Sequence, residues 1–187
     1  MDYKVVLASK SPRRQELLKQ IVPNFAIRTK EVAETYPSEL RGAQVVEYLA
    51  ELKSSAFASD LATDELLITA DTIVCVDGCV LGKPANRTDA IAMLQKLSGR
   101  AHHVYTGVCI KTTQKQRIFS VDTEVWFAQL TNDEILHYVD TYKPFDKAGA
   151  YGIQEWIGYI GIERINGSYF NVVGLPVQRL YAELKAF

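Results

Sequence analysis

Cysteine is scarce in this chain of 187 residues: three are present, Cys75, Cys79 and Cys109. An odd number with no CxxC pair excludes a disulfide framework and a zinc ribbon, and leaves the three as small apolar residues of a reducing compartment. Histidine is equally rare, and His102 and His103 are adjacent, so no pair stands at helical metal-ligand spacing. Long apolar runs are missing too. The opening MDYKVVLASKSPRR is apolar for only about five residues, too few for a signal-peptide core. Nothing approaches the roughly 20 apolar residues of a membrane span. The sequence therefore predicts a cytoplasmic protein with no membrane partner. An excess of one charge is also absent, with 21 Lys and Arg against 22 Asp and Glu. Non-specific nucleic-acid binders carry a basic surplus because phosphate contacts supply most of their affinity. Nucleic acid is thus not expected as the primary partner, and any anion site must be local. Repeats, low-complexity tracts and Pro/Ser-rich linkers do not occur.

What is present is a 48% hydrophobic chain of single-domain size, so residues 1–187 are expected to share one core. Helix and strand signals alternate. Tyr3 to Ser9 reads as a buried strand running into SPRRQELLKQI, where Ser11 can cap and Pro12 fits the first helical position. A second strand is expected over Asn24 to Lys30, and a long helix after Pro37. LLITADTIVCV, from Leu66 to Val76, is the most apolar strand, followed by an Asp77-Gly78 turn and a short return strand ending at Gly82-Lys83-Pro84. A helix over Asp89 to Ser98 closes at Gly99. Two strands follow, His102 to Thr113 and Arg117 to Leu130. Thr131 and Glu134 form a capping box for a helix reaching Tyr142. Asn166-Gly167 reads as the turn of a closing hairpin, and Pro176 starts a C-terminal helix. The mixture predicts an α/β or α+β fold with a mixed sheet, and two lobes about one cleft are compatible with it.

Four groups of residues carry chemistry. Ser9, Ser11, Arg13 and Arg14 sit at a strand-to-helix junction, where unpaired N–H groups attract phosphate. Arginines oppose the dipole of a first turn, and an anionic ligand offsets that cost; a solvated surface pair is the plainer alternative. No Walker loop is present. Asp71, beside Thr72, interrupts the most apolar strand, which costs free energy unless the carboxylate is paired, hydrogen-bonded or metal-bound. It reads as a catalytic carboxylate or metal ligand, with a structural aspartate satisfied by backbone amides as the alternative. Lys83 projects from a loop stiffened by Pro84, or is an ordinary surface lysine. The stretch Asp146 to Gln154 combines small residues with Gln154, whose amide can read a base edge, although a plain glycine-containing loop has the same composition. Acid, base, helix N-terminus and amide together suit metal-assisted attack of water on a phosphate chain.

The segments LASKSPRRQELL, ADTIV, LGKP and PFDKAGAYGIQ, in this order and spacing, resemble the Maf family of nucleoside triphosphate pyrophosphatases over essentially the whole chain. The resemblance implies a fold like that of the inosine triphosphate pyrophosphatases, with a mixed sheet, flanking helices and two lobes around a deep cleft. It implies hydrolysis of a nucleoside triphosphate to the monophosphate and pyrophosphate, with Mg²⁺ or Mn²⁺ as cofactor. KAGAYGIQ, with Lys147 and Gln154, resembles the branch acting on dTTP, UTP and modified pyrimidine nucleotides, and differs from the 7-methyl-GTP branch. By the same resemblance Asp71 would accept the proton, and Arg13, Thr72 and Gln154 would discriminate substrates. Lys53 and Lys83 would hold the triphosphate, and Glu34, with Glu31 as the neighbouring alternative, would join Asp71 at the metal. A homodimer and a part in nucleotide-pool cleaning or septum arrest are further implications. The competing readings are a purine or 7-methyl-GTP pyrophosphatase and a non-catalytic nucleotide-binding regulator.

Overall fold

The computed structural model describes residues 3–187, which form two compact units. The first comprises the chain up to Thr72, Thr106–Val121 and Gly174–Phe187. Strand β1 (Lys4–Leu7) lies here, parallel to β2 (Ala26–Ile27) on one side and to the start of β3 (Glu65–Val76) on the other. Val5, Val6 and Leu7 are all buried, which the apolar run KVVL requires of a strand flanked on both edges. Helix α1 (Pro12–Lys19) starts with Ser11 accepting from the Arg14 N–H, as its sequence predicts. Helix α2 (Ala43–Ser55) buries Val45, Val46, Leu49 and Ala50 at helical spacing. It begins later than the Pro37 signal suggests because Gly42 adopts a positive φ of 50°, which interrupts the helix. The second strand shrinks to two residues, and Val6, Leu67 and Phe57 form a small apolar cluster with Ala8, Ala56 and Leu61.

The second unit comprises Ile73–Tyr105 and Asp122–Val173. Here β3 turns through Asp77 and Gly78, both at positive φ, into antiparallel β4 (Cys79–Leu81). Helix α3 (Arg87–Leu97) is capped by Asn86, and α4 (Asn132–Tyr142) by the Thr131–Glu134 box. Strands β5 (Ala101–Lys111) and β6 (Gln116–Phe127) run, like β3, through both units. The seven-stranded sheet has the order β2-β1-β3-β5-β6-β7 with β4 on β3, so parallel and antiparallel pairs coexist as the mixed pattern predicts.

The expected closing hairpin at Asn166-Gly167 is not formed. After the short helix α5 (Trp156–Gly161), β7 (Ile162–Asn166) pairs antiparallel with β6 instead, matching Asn166 with Glu124. Beyond Gly167 the chain makes helix α6 (Tyr169–Val173). Side chains decide this: the Ser168 N–H donates to Thr123 Oγ1 at 3.1 Å, and buried Asn171 donates through Nδ2 to the Val104 carbonyl and Thr123 Oγ1. Those bonds give the polar groups of 168–171 partners that a strand would have had to find elsewhere. Helix α7 (Val177–Ala186), of the first unit, follows Pro176 as expected.

Candidate active site

The junction after β1 builds one side of the first unit's site. Ser9 is buried, and its Oγ accepts from the Ser11 N–H at 3.2 Å while its carbonyl takes a bond from Gln15 Nε2. A hydroxyl that accepts here keeps its own proton for another partner at the helix N-terminus. Arg13, second in α1, is half-buried. Arg14 uses three of its N–H groups on the protein itself. Its Nε donates to the Gly174 carbonyl at 2.8 Å, one terminal nitrogen to the Ala70 carbonyl at 2.9 Å, and the other to Thr72 Oγ1 at 2.9 Å. Burial draws its pKa down from the ordinary arginine value; the opposite charges of Asp71 and Glu34 resist that fall, and Arg13 adds to it.

Asp71 is 7% exposed, the burial its place in LLITADTIVCV predicts. Its partner is Lys53, whose ammonium contacts Asp71 Oδ1 and also Glu34 Oε1 at 2.9 Å. One cation thus sits against two carboxylates. The arrangement follows from register: Thr69 Oγ1 donates to the Ala50 carbonyl at 2.6 Å, pinning α2 to β3. Lys53 lies one turn beyond Ala50, and Asp71 lies two residues beyond Thr69, on the same face of the strand. The two neighbouring glutamates differ in their partners. Glu34 reaches Lys53, whereas Glu31 is exposed and pairs with Lys10 at 3.2 Å. Thr72, facing opposite to Asp71 by strand alternation, shares a 2.9 Å hydroxyl–hydroxyl bond with buried Thr106. Ser9, Arg13, Arg14, Glu34, Lys53, Asp71 and Thr72 therefore all belong to the first unit. Reasoning from the residues alone missed Lys53, because a basic residue in a last helical turn is ordinary. Only its 18-residue separation from Asp71, closed by packing, gives it meaning.

Lys83 and Gln154 lie in the second unit. The Gly149 N–H donates to the Gly82 carbonyl at 3.0 Å, so the Gly82-Lys83-Pro84 loop is tied to the Asp146–Gln154 segment. Gly149 has φ 68°, and a Cβ there would come within 3.0 Å of Val74. Lys83 and Gln154 are exposed. The turn carrying Gln154 is braced from behind: Tyr138, fully buried, donates its hydroxyl to Glu155 and accepts from the Gly152 N–H at 3.0 Å. Burial, and next the bond to Glu155, push the Tyr138 phenol well above its ordinary pKa, so it stays a neutral donor. Lys147 pairs with Asp146 at 2.8 Å and Glu155 at 3.1 Å. Nearby, His102 is buried with Nε2 2.7 Å from the Tyr151 hydroxyl, and burial lowers its pKa to about 4. Among the described residues, no cluster of three or more His, Cys, Asp or Glu side chains forms a metal cage, and no helix is long and apolar enough to cross a membrane.

Residues 4–187 match the family model described as Maf-like protein. A Bacteroides thetaiotaomicron protein named dTTP/UTP pyrophosphatase is 52% identical over 184 residues, covering 98% of this chain and 95% of that protein. Proteins of the same name from Phocaeicola vulgatus and Parabacteroides distasonis are each 55% identical, covering 98% and 99% of this chain and 95% and 96% of their own lengths. Among solved structures, the Staphylococcus aureus Ham1 protein matches with a TM-score of 0.57 and 19% identity, covering 98% of both chains. A HAM1 protein from Coxiella burnetii matches with 0.54 and 13%, covering 99% of this chain and all of its own. At such identities the likeness is one of fold.

Proposed function

This chain belongs to the Maf-like protein family, and on that footing we propose that it hydrolyses dTTP and UTP to the nucleoside monophosphate and pyrophosphate. The observation that carries the chemistry is the Asp71–Lys53–Glu34 cluster: a buried carboxylate, held ready by an ammonium group, in the strand that the sequence marks as costly to interrupt. Relatives named for this activity and 52–55% identical over nearly the whole chain support the substrate class.

In the reaction as we read it, water attacks the α-phosphorus, its proton passes to an Asp71 carboxylate oxygen, and the bond from the α-phosphorus to the bridging oxygen breaks. The electron pair leaves with pyrophosphate. Lys53, Lys83 and Arg13 supply cationic charge for the triphosphate, and the Ser9 hydroxyl offers a donor at the helix N-terminus. Thr72 and Gln154 discriminate substrates, Gln154 with the donor and acceptor that a pyrimidine edge requires. The carboxylates of Glu34 and Asp71 are hard oxygen donors that both face Lys53, and they would hold Mg²⁺ or Mn²⁺, which commonly takes one or two carboxylates beside substrate phosphates. When bound there, such an ion neutralises charge on the phosphate chain. Three free thiols support a reducing, cytoplasmic setting.

A nucleotide panel of dTTP, UTP, 7-methyl-GTP and ITP, assayed with Mg²⁺ or Mn²⁺ and with products identified, tests this. Monophosphate plus pyrophosphate from dTTP and UTP is expected. A preference for the methylated purine transfers the chain to the sister activity, and nucleotide binding without pyrophosphate release identifies a regulator.

A further inference from the structure

The edge of β3 next to β1 is left incomplete. The last ladder bond there runs from the Ala8 N–H to the Ile68 carbonyl at 2.9 Å, after which the chain swings away into the Ser9–Ser11 turn. The next carbonyl on that edge is Ala70, immediately before Asp71, and in parallel pairing it would expect another backbone donor. Arg14 supplies it. The same guanidinium binds Thr72 Oγ1, immediately after Asp71, and its Nε holds the Gly174 carbonyl, at a glycine whose φ of 125° suits few other residues. Three N–H groups of one planar fork thus clamp the main chain on one side of Asp71, the side chain on the other, and the segment entering α7. The clamp also fixes the role of the Thr72 hydroxyl. Arginine has no acceptor, so Thr72 must accept from it. One lone pair is consumed, and the bond to Thr106 consumes either the second lone pair or the proton.

The geometry points to Arg14 as a positioning residue that acts through Asp71 and Thr72, rather than as a ligand of the phosphate chain. This deepens the proposed pyrophosphatase reading and rests on it. Lysine cannot reproduce a three-way planar fork, so Arg14→Lys keeps the charge and loses the clamp. A displacement of about 1 Å at a reacting group costs on the order of 10²-fold in rate.

The test is steady-state hydrolysis of dTTP by wild type, Arg14→Lys, Thr72→Val and the double variant, with thermal unfolding of each. Arg14→Lys is expected to lower kcat by about 10- to 100-fold with KM changed less than about threefold. The double variant is expected to lose little more than the worse single variant, because both changes sever the same bond. Three results overturn the inference: a loss carried by KM, which marks a phosphate ligand; losses that multiply; or an Arg14→Lys enzyme within about twofold of wild type in both constants. Should Arg14→Lys fold poorly, Thr72→Val on the unaltered Arg14 takes its place: a kcat loss on dTTP and UTP alike at little-changed KM supports the clamp, and a change confined to KM or to the dTTP/UTP ratio overturns it. A wild type that releases no pyrophosphate fails the proposed function instead, which separates the two.

Discussion

At the scale of single residues, Asp71 owes its assignment to the conflict between its charge and its surroundings. A carboxylate at 7% exposure persists because Lys53 faces it, and Lys53 keeps Glu34 as a counter-charge when the Asp71 charge is removed. Asparagine preserves shape and still accepts from Lys53, but it cannot take up a proton from water at neutral pH. Asp71→Asn is therefore expected to reduce turnover by about 10²–10⁴-fold while the thermal unfolding midpoint stays near that of wild type. Near-normal pyrophosphate release from the folded variant would remove Asp71 from the reaction. His102 makes a different residue-scale prediction. Its pKa is 6.5 when unfolded and about 4 when folded, so the folded state prefers the neutral ring. Its contribution is complete above pH 6.5 and is lost as pH falls toward 4, with a ceiling of roughly 3 kcal/mol. Urea unfolding between those limits should show a flatter pH dependence for His102→Gln than for wild type. Equal slopes would assign the acid sensitivity to carboxylates alone.

Among elements, two contacts set positions that the proposed function depends on. Helix α2 approaches β5 closely at Gly107, where an added Cβ would lie 2.3 Å from the Val46 carbonyl oxygen. Backbone cannot yield as a flexible side chain does, so Gly107→Ala is expected to cost about 3 kcal/mol. Because α2 carries Lys53, the variant should also lose activity; chemical denaturation and pyrophosphate release measure the two effects separately. In the second unit, the turn that presents Gln154 leans on Tyr138. Tyr138→Phe strips one donor from Glu155 and the acceptor from the Gly152 N–H. The expected cost is about 1–3 kcal/mol, with faster amide exchange across 147–155 and a raised KM for dTTP. Unaltered exchange in that segment would show that Lys147 and Glu155 hold the turn without the phenol.

For the molecule as a whole, the near-zero charge balance of 21 against 22 has a spatial meaning. Cations and carboxylates neutralise one another in pairs and triads: Lys53 with Asp71 and Glu34, Lys147 with Asp146 and Glu155, Arg87 with Asp140. Among the described residues these cations are thus held in local pairs with carboxylates, so the charge balance is met locally as well as in total. The division into two units runs through β3, β5 and β6, and places the acid and the clamp in one unit and Lys83 with Gln154 in the other.

Local pattern was enough to determine the caps of α1 and α4, the turn at Asp77-Gly78 and the burial of Asp71, since each depends on residues a few positions apart, while the mixed sheet was legible only from the order of helix and strand signals along the chain. It misread Asn166-Gly167 because a hairpin needs two strands willing to pair. Here β6 took β7, while Ser168 and Asn171 found partners at Thr123 and Val104. The pairing of Lys53 with Asp71 and Glu34, that of Glu31 with Lys10, and the three-way grip of Arg14 were decided only in the folded chain. Each joins residues 18 to 160 positions apart, or turns on which of two equivalent side chains packing brings within hydrogen-bond reach, and no local preference encodes that distance.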